Sequence, residues 1–149
     1  MARLPYAENF RDLLAYQKSR QLAREIFELT KQFPREEMYS LTDQVRRSSR
    51  SVGAQIAEAW AKRRYENHFI SKLTDADGEQ RETQHWIETA QDCSYVTAKQ
   101  ATDLLQKSEE IGRLLSGMMD KSHLFCGNIP KIIRDESAQY FVIHGENTD

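Results

Sequence analysis

Ser40–Arg64 reads SLTDQVRRSSRSVGAQIAEAWAKRR. Leu41, Val45, Ser48, Val52, Ile56 and Ala59 recur at steps of three and four, the spacing that lines one face of an α-helix. Ser40 and Asp43 stand at capping-box spacing, so the helix is expected to open at Ser40. Gly53 costs about 1 kcal/mol against alanine mid-helix and is expected where another helix comes close. The stretch also holds six Arg/Lys residues and no chemical motif. Arg46, Arg47 and Arg50 lie mostly off the apolar stripe. Two readings stand side by side: a nucleic-acid-binding face, or the wet side of a bundle helix.

Outward from this stretch the same period repeats. Upstream, Ala15, Ser19, Leu22, Ile26, Leu29 and Phe33 predict a helix from about Asn9 to Lys31. Phe33-Pro34 ends it, because a residue before proline resists the α region. Downstream, Phe69, Leu73, Ala76, Gln80, Thr83, Ile87 and Ala90 predict a helix over about Glu66 to Asp92, with Ile70 and Trp86 beside the stripe. This seam is polar enough to suggest a face against another subunit or water. Thr97 and Gln100 form a capping box for a fourth helix, whose inward set is Ala101, Leu104, Leu105, Ser108, Ile111, Leu115, Met118 and Met119, ending near His123. Short connections make the neighbours antiparallel. The expected architecture is all-α, an antiparallel up-down-up-down four-helix bundle over residues 1–126 with a short C-terminal tail, 127–149. The tail carries Tyr140-Phe141-Val142-Ile143, costly to leave wet, and is expected to dock on its own bundle or a neighbour's.

The 149 residues suit one domain with a core, and three prolines with six glycines leave little turn material. No apolar run nears the ~20 residues that span a bilayer, and the N-terminus lacks a signal-peptide pattern. A cytoplasmic protein without membrane contact is the expectation. Cys93 and Cys126 fit reduced thiols. Net charge is −2, unevenly spread: residues 1–64 carry 13 Lys/Arg against 8 Asp/Glu (+5), and residues 65–149 carry 8 against 15 (−7). That asymmetry fits a basic binding face, or complementary surfaces that meet within or between bundles.

Catalytic signals are sparse. Glu82-Thr83-Gln84-His85 has the Glu-x-x-His spacing of half a di-metal site, but no second copy exists and Glu58 is the only other obvious ligand. A solvated face is the better reading. His68, His85, His123 and His144 are scattered; phosphate loops and nucleophile elbows are missing. No cofactor or metal is expected, and enzyme is the weaker class. The binding candidates are Arg46, Arg47, Arg50, Lys62, Arg63 and Arg64. Arg46 and Arg50 point the same way at i,i+4, while Lys62-Arg63-Arg64 complements the helix dipole at a C-terminus. Gln44, Gln55 and Glu58 sit near the seam, where polar groups can set register and subunit number. Glu58 is expected to pair with an arginine.

The order of features resembles a known family. FRDLLAYQKSRQLAREIFELTKQFP (Phe10–Pro34), YSLTDQVRRS (Tyr39–Ser48), Ser51-Val52, QIAEA (Gln55–Ala59), FISKLTDADGEQRE (Phe69–Glu82) and IGRLLSGM (Ile111–Met118) follow the pattern of the four-helix-bundle proteins encoded in intervening sequences of bacterial 23S rRNA genes. Gln44, Arg46, Arg47, Ile56, Ala57, Glu58, Ala76, Gly78 and Glu82 match its motifs, over about residues 9–120. Gln55 stands where the family usually has Asn and Ala59 where it has Gly; Arg50, Gly53, Lys72 and Asp75 also depart. The resemblance implies rings, often pentamers, mostly without established activity. It also implies kinship with the accessory variability proteins of diversity-generating retroelements, which partner a reverse transcriptase and bind RNA or DNA through a basic surface. On that footing the chain is expected to be a non-enzymatic homopentameric accessory protein; a protein-only scaffold is the alternative.

Overall fold

Asn9 and Asp12 close a reciprocal cap around a short 3-10 turn, Phe10–Asp12, in which Asn9 accepts from the Arg11 N–H at 2.8 Å and Asp12 from the Asn9 N–H at 3.2 Å. The computed structural model describes residues 7–127 and 141–142, and the helical winding is interrupted after this turn. Leu13 is extended and pairs with Val142, and the Leu14 N–H donates to the Phe141 carbonyl at 2.8 Å. The first helix, α1 (Leu14–Thr30), therefore starts at Leu14 and not at Asn9. A contact from the far end of the chain overrides the local cap.

Pro34 (φ −56°, ψ 143°) admits the chain to a 3-10 turn, Arg35–Glu37, that runs through a π-helical turn, Met38–Thr42, straight into α2 (Asp43–Ala61). Ser40 thus lies inside a wound segment and its expected box with Asp43 does not form, because a side-chain cap serves only where extended backbone enters a helix. Helix α3 (Glu66–Asp92) spans the expected residues. It closes with the Ser94 N–H on the Gln91 carbonyl and the Tyr95 N–H on the Ala90 carbonyl, both 2.9 Å, as Ser94 turns left-handed (φ 62°). Helix α4 (Ala98–Asp120) opens with the Thr97/Gln100 box that its spacing predicts.

Side-chain ties fix the directions. Thr30 meets Arg46, and Ser19 lies opposite Gly53. Thr83 meets Ser48, and Lys72 meets Glu58. Ser108 meets Gln80, and Met119 meets Thr74. Lys107 meets Glu25, and Glu110 meets Lys18. In each pair numbers rise on one helix as they fall on the other. The four helices form an antiparallel, up-down-up-down bundle, with α1 beside α2 and α4, and α3 closing the square.

The core takes Leu22 and Ile26 from α1, Val52 and Ile56 from α2, Phe69 and Leu73 from α3, and Ile111 and Leu115 from α4, all at most 1 % exposed. Each such side chain contributes about 1.5–3 kcal/mol. The polar seam of α3 lies in this interior and not against another subunit or water, which corrects the sequence expectation: all seven of its residues are buried. Polar burial is tolerable here because partners meet it across the bundle. The Ser48 and Thr83 hydroxyls share a hydrogen bond across the bundle at 2.8 Å, and each also reaches a carbonyl of its own helix, Val45 at 3.3 Å and Glu79 at 2.9 Å. Ser108 donates to Gln80 Oε1 (3.0 Å), and Gln80 Nε2 to Asp77 (2.9 Å).

Phe141 and Val142 are buried at the end of the bundle. The Phe141 ring meets Phe125 edge-on at 6.0 Å, and Phe125 stacks on Phe69 at 5.8 Å. These two residues dock on their own chain. Residues 128–140 and 143–149, the rest of the expected tail, lie outside the described residues, as do 1–6. No helix among the described residues is long and apolar enough to cross a membrane.

Candidate nucleic-acid interface

The arginines of α2 leave it on two sides. Arg47 turns to α3: its Nη2 lies 2.6 Å from Glu82 and its Nη1 3.7 Å from Glu79. The Glu82 hydrogen bond outweighs the cost of burial and holds the Arg47 proton more firmly than usual. Burial pushes the Glu79 carboxyl up in spite of Arg47. Burial also acts on Glu82, but hydrogen bonds from Arg47 and Trp86 prevail and hold it below the usual carboxylate range. Glu82 is thereby committed, while the His85 ring lies against Trp86 at 4.7 Å. Among the described residues no three His, Cys, Asp or Glu side chains gather as a metal ion would need.

Arg46 and Arg50 turn to α1. Arg46 Nε donates to the Thr30 hydroxyl at 2.8 Å. Its guanidinium carbon lies 4.7 Å from the Phe27 ring centre, and that of Arg50 lies 5.4 Å away. At the other end of α2 the three basic residues part company. Arg63 folds back, 3.5 Å over the Trp60 ring, with Nε on the Trp60 carbonyl at 2.9 Å, and burial lowers its pKa. Lys62 and Arg64 are exposed beside Tyr65, whose ring stands 5.2 Å from that of His68. The six candidates do not form one patch.

Of the candidate register residues, Gln44 is half-buried, Gln55 accepts from Lys72 Nζ at 3.2 Å, and Glu58 pairs with the same ammonium at 2.9 Å. The expected arginine partner of Glu58 is a lysine, Lys72 of α3; its hydrogen bond draws the Glu58 pKa down. The buried polar contacts between helices come instead from Ser48, Thr83, Gln80 and Ser108, which sequence reading placed only as stripe members.

Arg50 borders a groove of about 460 Å³ between α1 and α2. Phe10, Tyr16 and Phe27 supply rings, Arg20, Arg24 and Arg50 supply charge, and Ser19, Ala23, Ser49, Gly53, Ala54 and Ala57 complete the lining. Among the described residues no carboxylate lines it. Gly53 keeps the floor low: a Cβ there would come 3.1 Å from Ser19 Oγ and 3.7 Å from the Tyr16 ring. Arg20 donates to the Tyr16 hydroxyl at 3.2 Å, and Arg11 covers Phe10 at 4.4 Å. Sequence reading missed Tyr16, Arg20, Arg24 and Phe27. Their signal was present, since steps of four, four and three put them on one stripe of α1 beside the buried one.

The sequence profile described as "23S rRNA-intervening sequence protein" matches residues 11–117. A solved structure from Bacteroides thetaiotaomicron, described as a protein with unknown function from the S23 ribosomal protein family, is 31% identical, with a TM-score of 0.65. The match covers 72% of this chain and 96% of that one. No curated protein matches.

Proposed function

This chain belongs to the family of 23S rRNA-intervening sequence proteins, and from that premise we propose a non-enzymatic, homo-oligomeric accessory protein that binds RNA or DNA along the α1–α2 groove. One observation carries the reading: Arg20, Arg24 and Arg50 line a ring-walled groove that has no carboxylate among the described residues. Guanidinium forks suit phosphate oxygens and stack on planar groups. Arg46 extends the charge, and Lys62 with Arg64 adds an exposed basic end. Arg47 and Arg63 are engaged within the chain and contribute less. A ring of subunits, five by the family resemblance, would multiply weak contacts into firm binding. A reverse transcriptase is the protein partner that the same resemblance favours, in the cytoplasm. Gln44, Gln55 and Glu58 then serve the contacts between subunits.

Titrating labelled RNA at rising salt tests this. Affinity should fall linearly on a log–log plot, with a slope near −0.7 per phosphate contact on a single strand. Arg24→Glu with Arg50→Glu should weaken binding about a hundredfold or more at low salt, with helix content unchanged. Flat salt dependence, or a double variant that binds as the parent does, would sink the proposal.

A second reading is favoured by the opposite charge of the two halves. A groove of about 620 Å³ between α3 and α4 carries Asp77, Glu109 and Asp120 beside Arg81 and Arg113. In a protein-only scaffold these acids would meet the arginine groove of the next subunit. Light scattering separates the two: the scaffold reading requires the double variant to fall to monomers.

A further inference from the structure

We propose that the occupant of the α1–α2 groove is a single strand of nucleic acid, its bases stacked on Tyr16 and Phe27 and its phosphates held by Arg20, Arg24 and Arg50. This rests on the nucleic-acid reading above and goes beyond it in naming what is bound and how.

Three features argue for a strand. The first is width. Packed helices lie about 8–10 Å apart, and a duplex, whose major groove alone is about 12 Å wide, does not sink between them. A duplex would touch only the rim. The second is composition. A duplex hides its base faces, so a groove walled by Phe10, Tyr16 and Phe27 has nothing to offer it. An unpaired base can stack on the guanidinium planes that lie over Phe10, Tyr16 and Phe27, or on a ring itself once its guanidinium swings out to a phosphate. The third is length and depth. Tyr16 and Phe27 stand eleven residues apart on α1, about 16 Å along its axis. The cavity of about 460 Å³ falls in the range of roughly 300–1,000 Å³ that encloses a small ligand. A base or two fits inside while the strand continues along the groove.

Charge decides between a strand and other occupants. Among the described residues the lining holds three arginines and no acid, which suits an anionic guest. Lys31, also near Phe27 (4.9 Å), is already paired with Glu28 at 3.1 Å, whereas Arg24 and Arg50 have no carboxylate within ion-pair distance among the described residues. Ser19 and Ser49 turn their hydroxyls to the Tyr16 and Arg46 carbonyls, leaving the floor apolar. Apolar floor, ring walls and cationic rim together match the three parts of a nucleotide chain. An acidic peptide would use the rim and leave the rings bare.

Fluorescence anisotropy at fixed salt tests the inference on the full chain with five probes: a ten-nucleotide RNA strand, the DNA strand of the same sequence, the RNA duplex, an abasic DNA strand of equal charge, and poly-glutamate. Both base-bearing strands should bind, and the duplex and the abasic strand should bind about tenfold or more weakly. Tyr16→Leu with Phe27→Leu should bring the DNA strand down to the abasic level and leave the abasic strand unchanged. The wild-type comparison decides even if that variant fails to fold. Equal binding of the abasic strand or the duplex overturns stacking while the nucleic-acid reading survives. Binding of poly-glutamate alone, or of nothing, overturns both.

Discussion

Two glycines of this chain, alike in sequence, differ in what surrounds them. Gly78 on α3 has nothing beyond its own turn of helix within 4 Å of where a Cβ would stand. Gly112 on α4 faces Gln80, and a Cβ there would come 2.7 Å from Gln80 Nε2. That amide is not free to move, since it donates to Asp77 and its oxygen accepts from Ser108 and Gln84. Gly78→Ala should therefore stabilise the fold by about 0.5–1 kcal/mol, the helix-propensity gain. Gly112→Ala should destabilise it by about 1–3 kcal/mol through overpacking. Denaturant melts of the two variants check this, and shifts of the same sign would refute the account of Gly112. Sequence offered both glycines at helix-interior positions. It held no sign of which one opposed Gln80, because that depends on how α4 is turned about its axis.

Between elements, α2 and α3 are joined by Arg47, Glu79 and Glu82, and the two carboxyls respond to acid in opposite senses. Glu82 is held below its usual range, so its contribution is present above the unfolded pKa and lost as pH falls through the folded one. Glu79 is pushed up by burial, so its neutral form is favoured in the fold; that gain is present at low pH and lost as pH rises through the folded value. Glu79→Gln should then raise the melting temperature near pH 7, with the difference fading toward about pH 4, the ordinary carboxylate range. Glu82→Gln should lower the stability by less than about 1 kcal/mol, as for other part-exposed pairs, and the loss should vanish in acid. Thermal melts across that range check both signs. At this scale the sequence was informative: α3 and its seven buried positions, and the Thr97 cap of α4, follow from spacing alone. The polar character of the α3 stripe misled, because Gln80 and Thr83 find Ser108 and Ser48 only when the helices are assembled. The start of α1 was misplaced because Phe141 and Val142 hold Leu13 and Leu14 from the other end of the chain.

For the molecule as a whole, that last contact closes one end of the bundle. The Phe141 ring packs on Phe125 and against Gly117, where a Cβ would come 2.7 Å from it. Phe141→Ala should cost about 3–5 kcal/mol, as for other buried aromatic truncations, read as a lower denaturant midpoint. An unchanged midpoint would show that the bundle is closed without this contact.

What the sequence determined by itself is the set of rods: four helices, their buried stripes and most of their ends, because a period near 3.6 is a local property that each segment carries unaided. What only the tertiary structure decided is the fate of each charge. Arg46, Arg47, Arg50 and Arg63 look equivalent in the chain, yet one spans to Thr30, one is held by Glu82, one borders an open groove and one lies on Trp60. Arg20 and Arg24, passed over in sequence, stand across that groove from Arg50. The reason is geometric: a long side chain on a helix surface is committed or free according to the register and rotation of the neighbouring helix, and these are set by the packing of all four.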